Sequence, residues 1–583
     1  MKQVIILLLL IFLASPVLAW EIADFHLDMF VHKDGAFHLQ EKIVVDFDGE
    51  RHHGIYREIP VKYTEYGTVY KIRLSDIKVY DEEHKPRRVK ITRRGRMLNI
   101  RIGNPKLYVT GKQTYIIDYV VRRAVNFKRD GVEIYWNLTG NEWRAPIRHF
   151  SANVYFFEGS GFDVSRVHCY TGPIGSKSEL EIIPTDTGFS VETSNVYPSS
   201  GVTFITLLPS GSIKKPPATQ ALGYFFADNW FLFIPVLVFI VMFCIWKRYG
   251  VDVGRELAVM PEYEPPDGLT PAEVGTIIDE RVDVADISAT IIDLAVRGYI
   301  RITEANSKKL IFFSKKDYLL TQMREPDEGL KPFERKLMRS LFSRKYRLKA
   351  VPLDGIEVPL DVLDEIKGKP TVSISGLKNK FYKDLDSLKK QLYRTLTKDK
   401  YFVSNPEKVR NKWRILGFMV MFVGFFFVGP LGGTIGLFGP ISILVSGAIV
   451  LIFSGFMPRK TRKGVFAARH IAGFKEFIER VEKDRIRRMA TDDPTVFERL
   501  LPFAMALGVA DEWAEVFEGI EVQRPNWYCG YGAHFSTHAF VSNLGGAVSG
   551  IGNAISSRPS GSSSGGGGGF SGGGFGGGGG GAW

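Results

Sequence analysis

The stretch Ile415 to Met457 runs for forty-three residues without a charged side chain. At about 1.5 Å of rise per residue this is too long for one crossing of a hydrocarbon layer about 30 Å thick, and about right for two. The sequence therefore predicts a transmembrane hairpin, with helices over about 415–431 and 435–457. Gly429-Pro430-Leu431-Gly432-Gly433 supplies the turn, because glycine and proline end a helix without placing a charge in lipid. Lys408, Arg410, Lys412 and Arg414 precede the hairpin, and Arg459, Lys460, Arg462 and Lys463 follow it. Basic residues on both flanks place both ends in the cytoplasm.

The beginning of the chain has the plan of a secretory signal. Lys2 is followed by the apolar run Val4 to Leu13, then Ser15-Pro16 and the small-residue ending Val17-Leu18-Ala19, so residues 1–19 are expected to be removed. From Trp20 to about Ser212 the apolar pattern has period two. In Phe37 to Phe47 the odd positions are mostly apolar, and Lys33-Asp34-Gly35 supplies a turn just before them. Further strands are expected at Tyr70–Tyr80, Val89–Ile102, Gln113–Val121 and Val202–Leu208. Many short strands without a convincing helix predict an exported all-β, sandwich-like domain over 20–212. After a linker at 213–224, the apolar segment 225–246 closes on Lys247-Arg248 and forms the first span of the mature chain. Asp228 and Asn229 lie near its outer end.

Between that span and the hairpin, residues 247–414 form a cytoplasmic, mainly helical region. Thr270, Pro271 and Glu273 make a capping box with proline at the first helical position. A second helix over about Val284 to Arg297 places Ile287, Ile291, Leu294 and Ala295 on one face. Gly298 ends it, and Tyr299 to Ile302 begins a strand expected to pair with Lys309 to Phe313. Helix, helix, glycine and hairpin give a winged-helix-like outline. Amphipathic helices follow at Pro332–Phe342 and Leu377–Leu396. Residues 458–525 continue the cytoplasmic helices, with Phe497–Phe517 interrupted at Pro502 and Gly508. The glycine-rich tail, 526–583, is expected to be disordered from about residue 550. The resulting fold class is a multidomain membrane protein with three transmembrane helices after signal removal and opposite faces for its two ends.

The formal net charge of +13 has an explanation in the membrane flanks and anionic lipid rather than in nucleic acid. The winged-helix-like stretch Glu262–Glu304 carries ten acidic and three basic residues, a surface that repels phosphate. A membrane-tethered DNA-binding regulator is thus an alternative that this charge weighs against. The other, a glycan-active envelope enzyme, would draw its acid and base from Glu41, His53 and Glu142, which no diagnostic spacing brings together. Cys529, His534 and His538 lack a fourth zinc ligand, and the three cysteines offer no disulfide framework. No catalytic constellation, metal site or cofactor site is recognised. Asn137-Leu138-Thr139 fits a glycosylation acceptor. Trp136 and Trp143 could present an aromatic platform, and Phe570, Phe575 and Trp583 punctuate a tail that needs no aromatics as a linker. These five are the residues by which a protein partner would be gripped. The leading expectation is a non-enzymatic binding, scaffold or relay protein in contact with membrane lipid.

Several stretches together resemble a known family. They are His53-Gly54-Ile55-Tyr56-Arg57-Glu58-Ile59-Pro60, the Trp136 to Trp143 segment and Tyr263-Glu264-Pro265-Pro266-Asp267-Gly268-Leu269-Thr270-Pro271-Ala272-Glu273. Asp293-Leu294-Ala295-Val296-Arg297-Gly298-Tyr299, Gly473-Phe474, and Leu501 to Val509 with Trp513 and Phe517 complete the set. In this order, with the glycine-rich end, they look like the YciQ-like predicted membrane proteins, a prokaryotic family of unknown function. The resemblance implies a prokaryotic plasma membrane and the same topology, and it carries over no catalytic residue. If the signal is removed as read, mass spectrometry of the amino terminus of protein purified from membranes will find Trp20 first.

Overall fold

The computed structural model describes residues 20–65, 67–254, 259–310, 313–348, 356–357, 364–429, 436–481, 483–517, 520, 525–530, 537–557 and 579–583. The signal segment, Pro430 to Gly433 of the expected turn, His534, Phe570 and Phe575 lie outside them. Two compact units emerge: Met1–Val236 with Val420–Ser446 and Gly568–Trp583, and Leu237–Met419 with Gly447–Gly567.

The first unit is β-rich. Its largest sheet has seven strands, in the order Ile182–Thr185, Gly188–Val196, Ile147–Phe156, Glu21–Val31, Phe37–Asp46, Lys112–Arg122 and Arg73–Tyr80. Glu21–Val31 runs parallel to Ile147–Phe156, and the other pairings are antiparallel. A five-stranded sheet, which includes Val132–Asn137 and Ser200–Leu208, shares the same apolar core. Phe189 meets Phe204 edge-on at 5.3 Å between ring centroids, and Phe37 meets Trp136 at 5.9 Å. The period-two pattern explains this packing, because alternate side chains leave a strand on opposite faces. Phe37, Leu39, Ile43, Val45 and Phe47 are all fully buried. The expected Val89–Ile102 strand is a hairpin of Val89–Arg94 and Met97–Gly103, because Gly95 (φ 58°) turns the chain. Cys169 is sealed in this core, and burial pushes its thiol up to about 12.

The second unit is helical around an antiparallel hairpin. Capping boxes start Pro271–Asp279 at Thr270 and Val284–Val296 at Asp283. The strand Ile300–Leu310 pairs with Phe313–Gln322, Ile300 opposite Gln322, rather than with Lys309–Phe313. The polar run from Asn306 to Lys309 prolongs the first strand instead of turning it. Helices Pro332–Leu341 and Tyr382–Lys398 bury the stripes expected of them, including Phe333, Leu337, Leu388, Leu392 and Leu396. Pro502 does not interrupt its helix, Val496–Ala506; the break comes at Gly508 (φ 71°). The expected disorder from about 550 does not hold for the residues up to 557, and 558–578 lie outside those described. A helix runs from Thr537 to Ser556 and buries Leu544, Ile551 and Ile555. Its Gly552 lies so close to Val284 that an added Cβ would sit 3.2 Å from Cγ1, which explains a glycine inside a packed helix.

One described helix, Trp230–Tyr249, is long and apolar enough to cross a bilayer. It begins at Trp230 rather than at Phe225, because the preceding helix Ala218–Asp228 stops at Asn229. The hairpin is represented by Pro406–Phe426, whose first turns carry the basic flank, and by the seventeen-residue Phe438–Ser454. The expectation of three spans therefore reaches beyond what these helix lengths establish.

Within the second unit, Asp286 is almost fully buried, and burial pushes its carboxyl up to about 8 against 3.8 in an unfolded chain. A carboxyl raised on folding favours the native state at low pH and loses that contribution as pH rises. The loss begins near 4 and ends near 8, at about 1.4 kcal/mol per pH unit for one proton. Asp286→Asn should flatten this slope, so urea midpoints measured between pH 5 and 8 will fall less in the variant than in the parent.

Candidate functional site at the ends of the membrane-length helix

The side chains singled out in the sequence do not converge. Trp143 is buried; its Nε1 donates to the Thr139 carbonyl at 2.9 Å, and the Arg57 guanidinium lies 5.5 Å from its ring. Trp136 is half-buried against the same core. These two tryptophans hold the domain together rather than forming a shared surface platform. Glu41 is fully buried and accepts from Arg57 Nε and Nη2, each at 2.8 Å, and from the Tyr119 hydroxyl at 2.7 Å. Burial first, then the Glu41 carboxylate, pushes the Tyr119 hydroxyl far above its ordinary value. Glu142 is partly exposed and pairs with Arg96 at 2.9 Å, and His53 Nδ1 is bonded to the Leu107 carbonyl at 2.8 Å. Asn137 of the glycosylation motif accepts from the Gly140 amide at 2.6 Å, while Thr139 is buried and accepts from the Val202 amide at 2.9 Å. The motif is part of the fold's hydrogen bonding. Cys529 pairs in register with Thr303 on a short parallel strand, and among the described residues no group of three His, Cys, Asp or Glu is placed to hold a metal ion.

What the structure does assemble lies at the two ends of Trp230–Tyr249. At the Trp230 end, in the first unit, Asn229 is fully buried and treats its own amide as a piece of strand. Its Oδ1 accepts from the Val69 N–H at 2.9 Å, and its Nδ2 donates to the Val69 carbonyl at 3.0 Å. Asp228, beside it, accepts from Arg123 Nη1 at 2.9 Å and from the Lys71 amide at 3.3 Å. The Arg123 guanidinium also lies 4.7 Å from the Tyr70 ring and 4.5 Å from the Tyr224 ring. Asp228 was the charged residue that the sequence left inside an apolar segment; it is neutralised by the β domain. The hairpin that receives these contacts, Lys62–Glu65 and Thr68–Lys71, also receives the start of Phe438–Ser454, because the Leu437 amide donates to the Gly67 carbonyl at 2.9 Å.

At the Tyr249 end, in the second unit, four charged residues from four places in the chain meet. Lys460, which follows Phe438–Ser454, donates through Nζ to Glu280 Oε1 and through its backbone to Asp252 Oδ1, both at 2.6 Å. Arg410, in Pro406–Phe426, donates to the Glu280 carbonyl at 2.9 Å and stands 3.7 Å from Glu280 Oε2. Glu280 ends the helix Pro271–Asp279 in the left-handed region, φ 65°, which turns its carbonyl and side chain toward these cations. The side chains of Arg410 and Lys460 are 6% and 9% exposed, so the pairs are largely desolvated and each partner depends on the other. Both belong to the basic flanks from which membrane orientation was read. The sequence shows them as topology signals and hides their second use, since Glu280 is 130 residues from one and 180 from the other.

Two family matches cover most of the chain. The family described as "Predicted membrane protein (DUF2207)" matches through its N-terminal domain over residues 21–208 and through its C-terminal domain over residues 259–517. The chain belongs to this family. A curated relative, the uncharacterized protein YciQ of Escherichia coli K12, is 23% identical over 224 residues, which are 36% of this chain. The match spans about a third, 34%, of that relative's length. Among solved structures, leukotriene A4 hydrolase from Saccharomyces cerevisiae is 8% identical with a TM-score of 0.20, covering 33% of this chain and 30% of the other. A zinc metallopeptidase from Deinococcus radiodurans is 10% identical with a TM-score of 0.18, covering 32% and 42%. Likeness at that level carries no argument about activity. The resemblance to YciQ-like proteins read from the sequence is thus the family to which the chain belongs, one of predicted membrane proteins with a β-rich N-terminal region and a helical C-terminal region.

Removing one member of a buried charge group costs about 3–5 kcal/mol where the partner is left unpaired. Glu280→Gln, which strands Lys460 and Arg410, should lower the denaturation midpoint of the purified full-length protein. Glu280→Gln with Lys460→Met should recover part of the loss, and a double-mutant cycle on the same transition reads the coupling directly.

Proposed function

We propose that this protein is a non-enzymatic envelope protein that binds on the exported face and relays the bound state across the membrane. One observation carries the reading: at both ends of the membrane-length helix hydrogen-bonded polar side chains belong to folded domains, the buried Asp228 and Asn229 at one end and, at the other, the group of Asp252, Lys460, Glu280 and Arg410, of which Lys460 and Arg410 are buried. A helix serving only as an anchor needs neither, because interfacial water and lipid head groups satisfy its ends. Fixed ends let rotation or displacement of the exported β domain reach the Pro271–Asp279 helix without loss in a loose linker. The inner cations of the hairpin, Arg410 and Lys460, would add its two helices to the same movement. The sandwich-like exported domain, the three-span topology and the cytoplasmic placement of the helical region belong to this proposal, supported by the signal-like beginning and the flanking basic residues.

The experiment is hydrogen exchange on the full-length protein in lipid nanodiscs, comparing the parent with Asn229→Ala. Loss of the Asn229 amide exposes the Val69 N–H and should raise exchange there. A relay also raises exchange at the inner group, around Glu280 and Lys460. If exchange changes at Val69 and nowhere beyond Tyr249, the two domains are mechanically independent and the relay reading fails.

A further inference from the structure

The β-rich unit has an edge that accepts a strand. In the sheet containing Gly54–Pro60, Met97–Gly103 and Val89–Arg94, the outer side of Gly54–Pro60 is taken by Gly579–Ala582, in antiparallel register with Gly579 opposite Glu58 and Ala582 opposite Ile55. Without that segment Gly54–Pro60 would be an open edge with unpaired N–H and C=O groups. The residue after the paired stretch, Trp583, fills a fitted place. Its amide donates to the Gly54 carbonyl at 3.2 Å, its indole Nε1 to the Ile102 carbonyl at 3.3 Å, and its carbonyl accepts from the His53 amide at 2.5 Å. The Arg101 guanidinium lies 3.2 Å from the centre of the indole ring, and the His53 and Tyr56 rings stand 5.2 Å and 5.9 Å away. Tyr108 backs His53 at 4.2 Å. The cleft continues past the strand, lined by Lys90, Arg94 and Arg144 with Glu58 and Glu142.

Chain order decides what fills this place in a membrane. The β domain precedes Trp230–Tyr249, and Trp583 follows the second unit, whose pieces on both sides of the hairpin fold as one body. With that helix across a bilayer, the tail and the β domain are on opposite faces, and a glycine-rich backbone cannot cross hydrocarbon with its polar groups unpaired. The tail strand therefore displays what the edge recognises. We infer that the Gly54–Pro60 edge is a binding site for an extended segment of another protein on the exported face, paired by its backbone over about four residues and anchored by an aromatic side chain at Arg101, His53 and Tyr56. Backbone pairing is tolerant of sequence; at Gly581 a side chain has room, since an added Cβ comes no nearer than 3.9 Å to Arg144. The indole pocket supplies the selectivity, and the cations lining the cleft favour acidic residues beside the aromatic one. This inference shares with the relay only the exported position of the β domain, and it stands if the relay fails.

The test uses full-length protein in nanodiscs from which residues 558–583 have been deleted, and a fluorescent peptide of three glycines, alanine and tryptophan. Saturable binding is expected, weakened about tenfold when the peptide tryptophan is replaced by alanine and by a similar factor in Arg101→Ala. Because the peptide substitution leaves the protein intact, it separates recognition from misfolding. No binding, or equal binding of the two peptides, overturns the site. Ala582→Cys in a background without the native cysteines, exposed to an impermeant maleimide on intact cells, should stay unlabelled. Labelling would mean that the tail itself reaches the exported face and fills the edge, and the assignment to a second protein would be wrong.

Discussion

Hydrocarbon tolerates neither an open backbone group nor an unpaired charge, and Trp230–Tyr249 is the one described helix whose length and apolar composition meet that demand. The helix presents apolar side chains such as Leu237, Phe239 and Ile240 outward along its length. Its polar ends are not left to water. Asn229 imitates a strand's backbone to reach Val69, and Asp252 receives the backbone of Lys460. Each unit thus contains the fitting for its own end of the helix.

The two units solve the problem of internal charge differently. In the β-rich unit Glu41, Arg57 and Tyr119 form a closed set in which both carboxylate oxygens are used. Such a set ties two neighbouring strands of the seven-stranded sheet to Gly54–Pro60 of another sheet and is costly to break, which suits a structural role. In the helical unit Arg410 keeps a buried Nε without a hydrogen-bond partner among the described residues, so the group around Glu280 is incompletely satisfied. An arrangement short of full satisfaction has less to lose on rearranging than a closed one.

Local pattern made much of the fold legible. Period-two alternation located the strands of the β-rich unit, and the capping box at Thr270 marks a helix start that the structure contains. Glu41 stood at an inward position of its strand, and that break in the alternation was the visible trace of its ion pair. What could not be read depends on distant partners. Glu280, Arg410 and Lys460 each look like ordinary surface charges until the chain brings them together, and nothing near Gly54–Pro60 says that its edge accepts another strand. The helix Thr537–Ser556 was concealed by composition: its glycines suggested disorder, whereas at Gly552 the missing side chain permits close packing.

Cys169 has a consequence for the redox chemistry of the folded β domain. It is the one cysteine of that domain's sequence, and its thiol is walled off and held far from ionisation. A thiol that neither meets solvent nor forms thiolate is a poor substrate for disulfide exchange. Once folded, the β domain is accordingly closed to oxidants at its one thiol and has no cysteine with which to cross-link to a second copy.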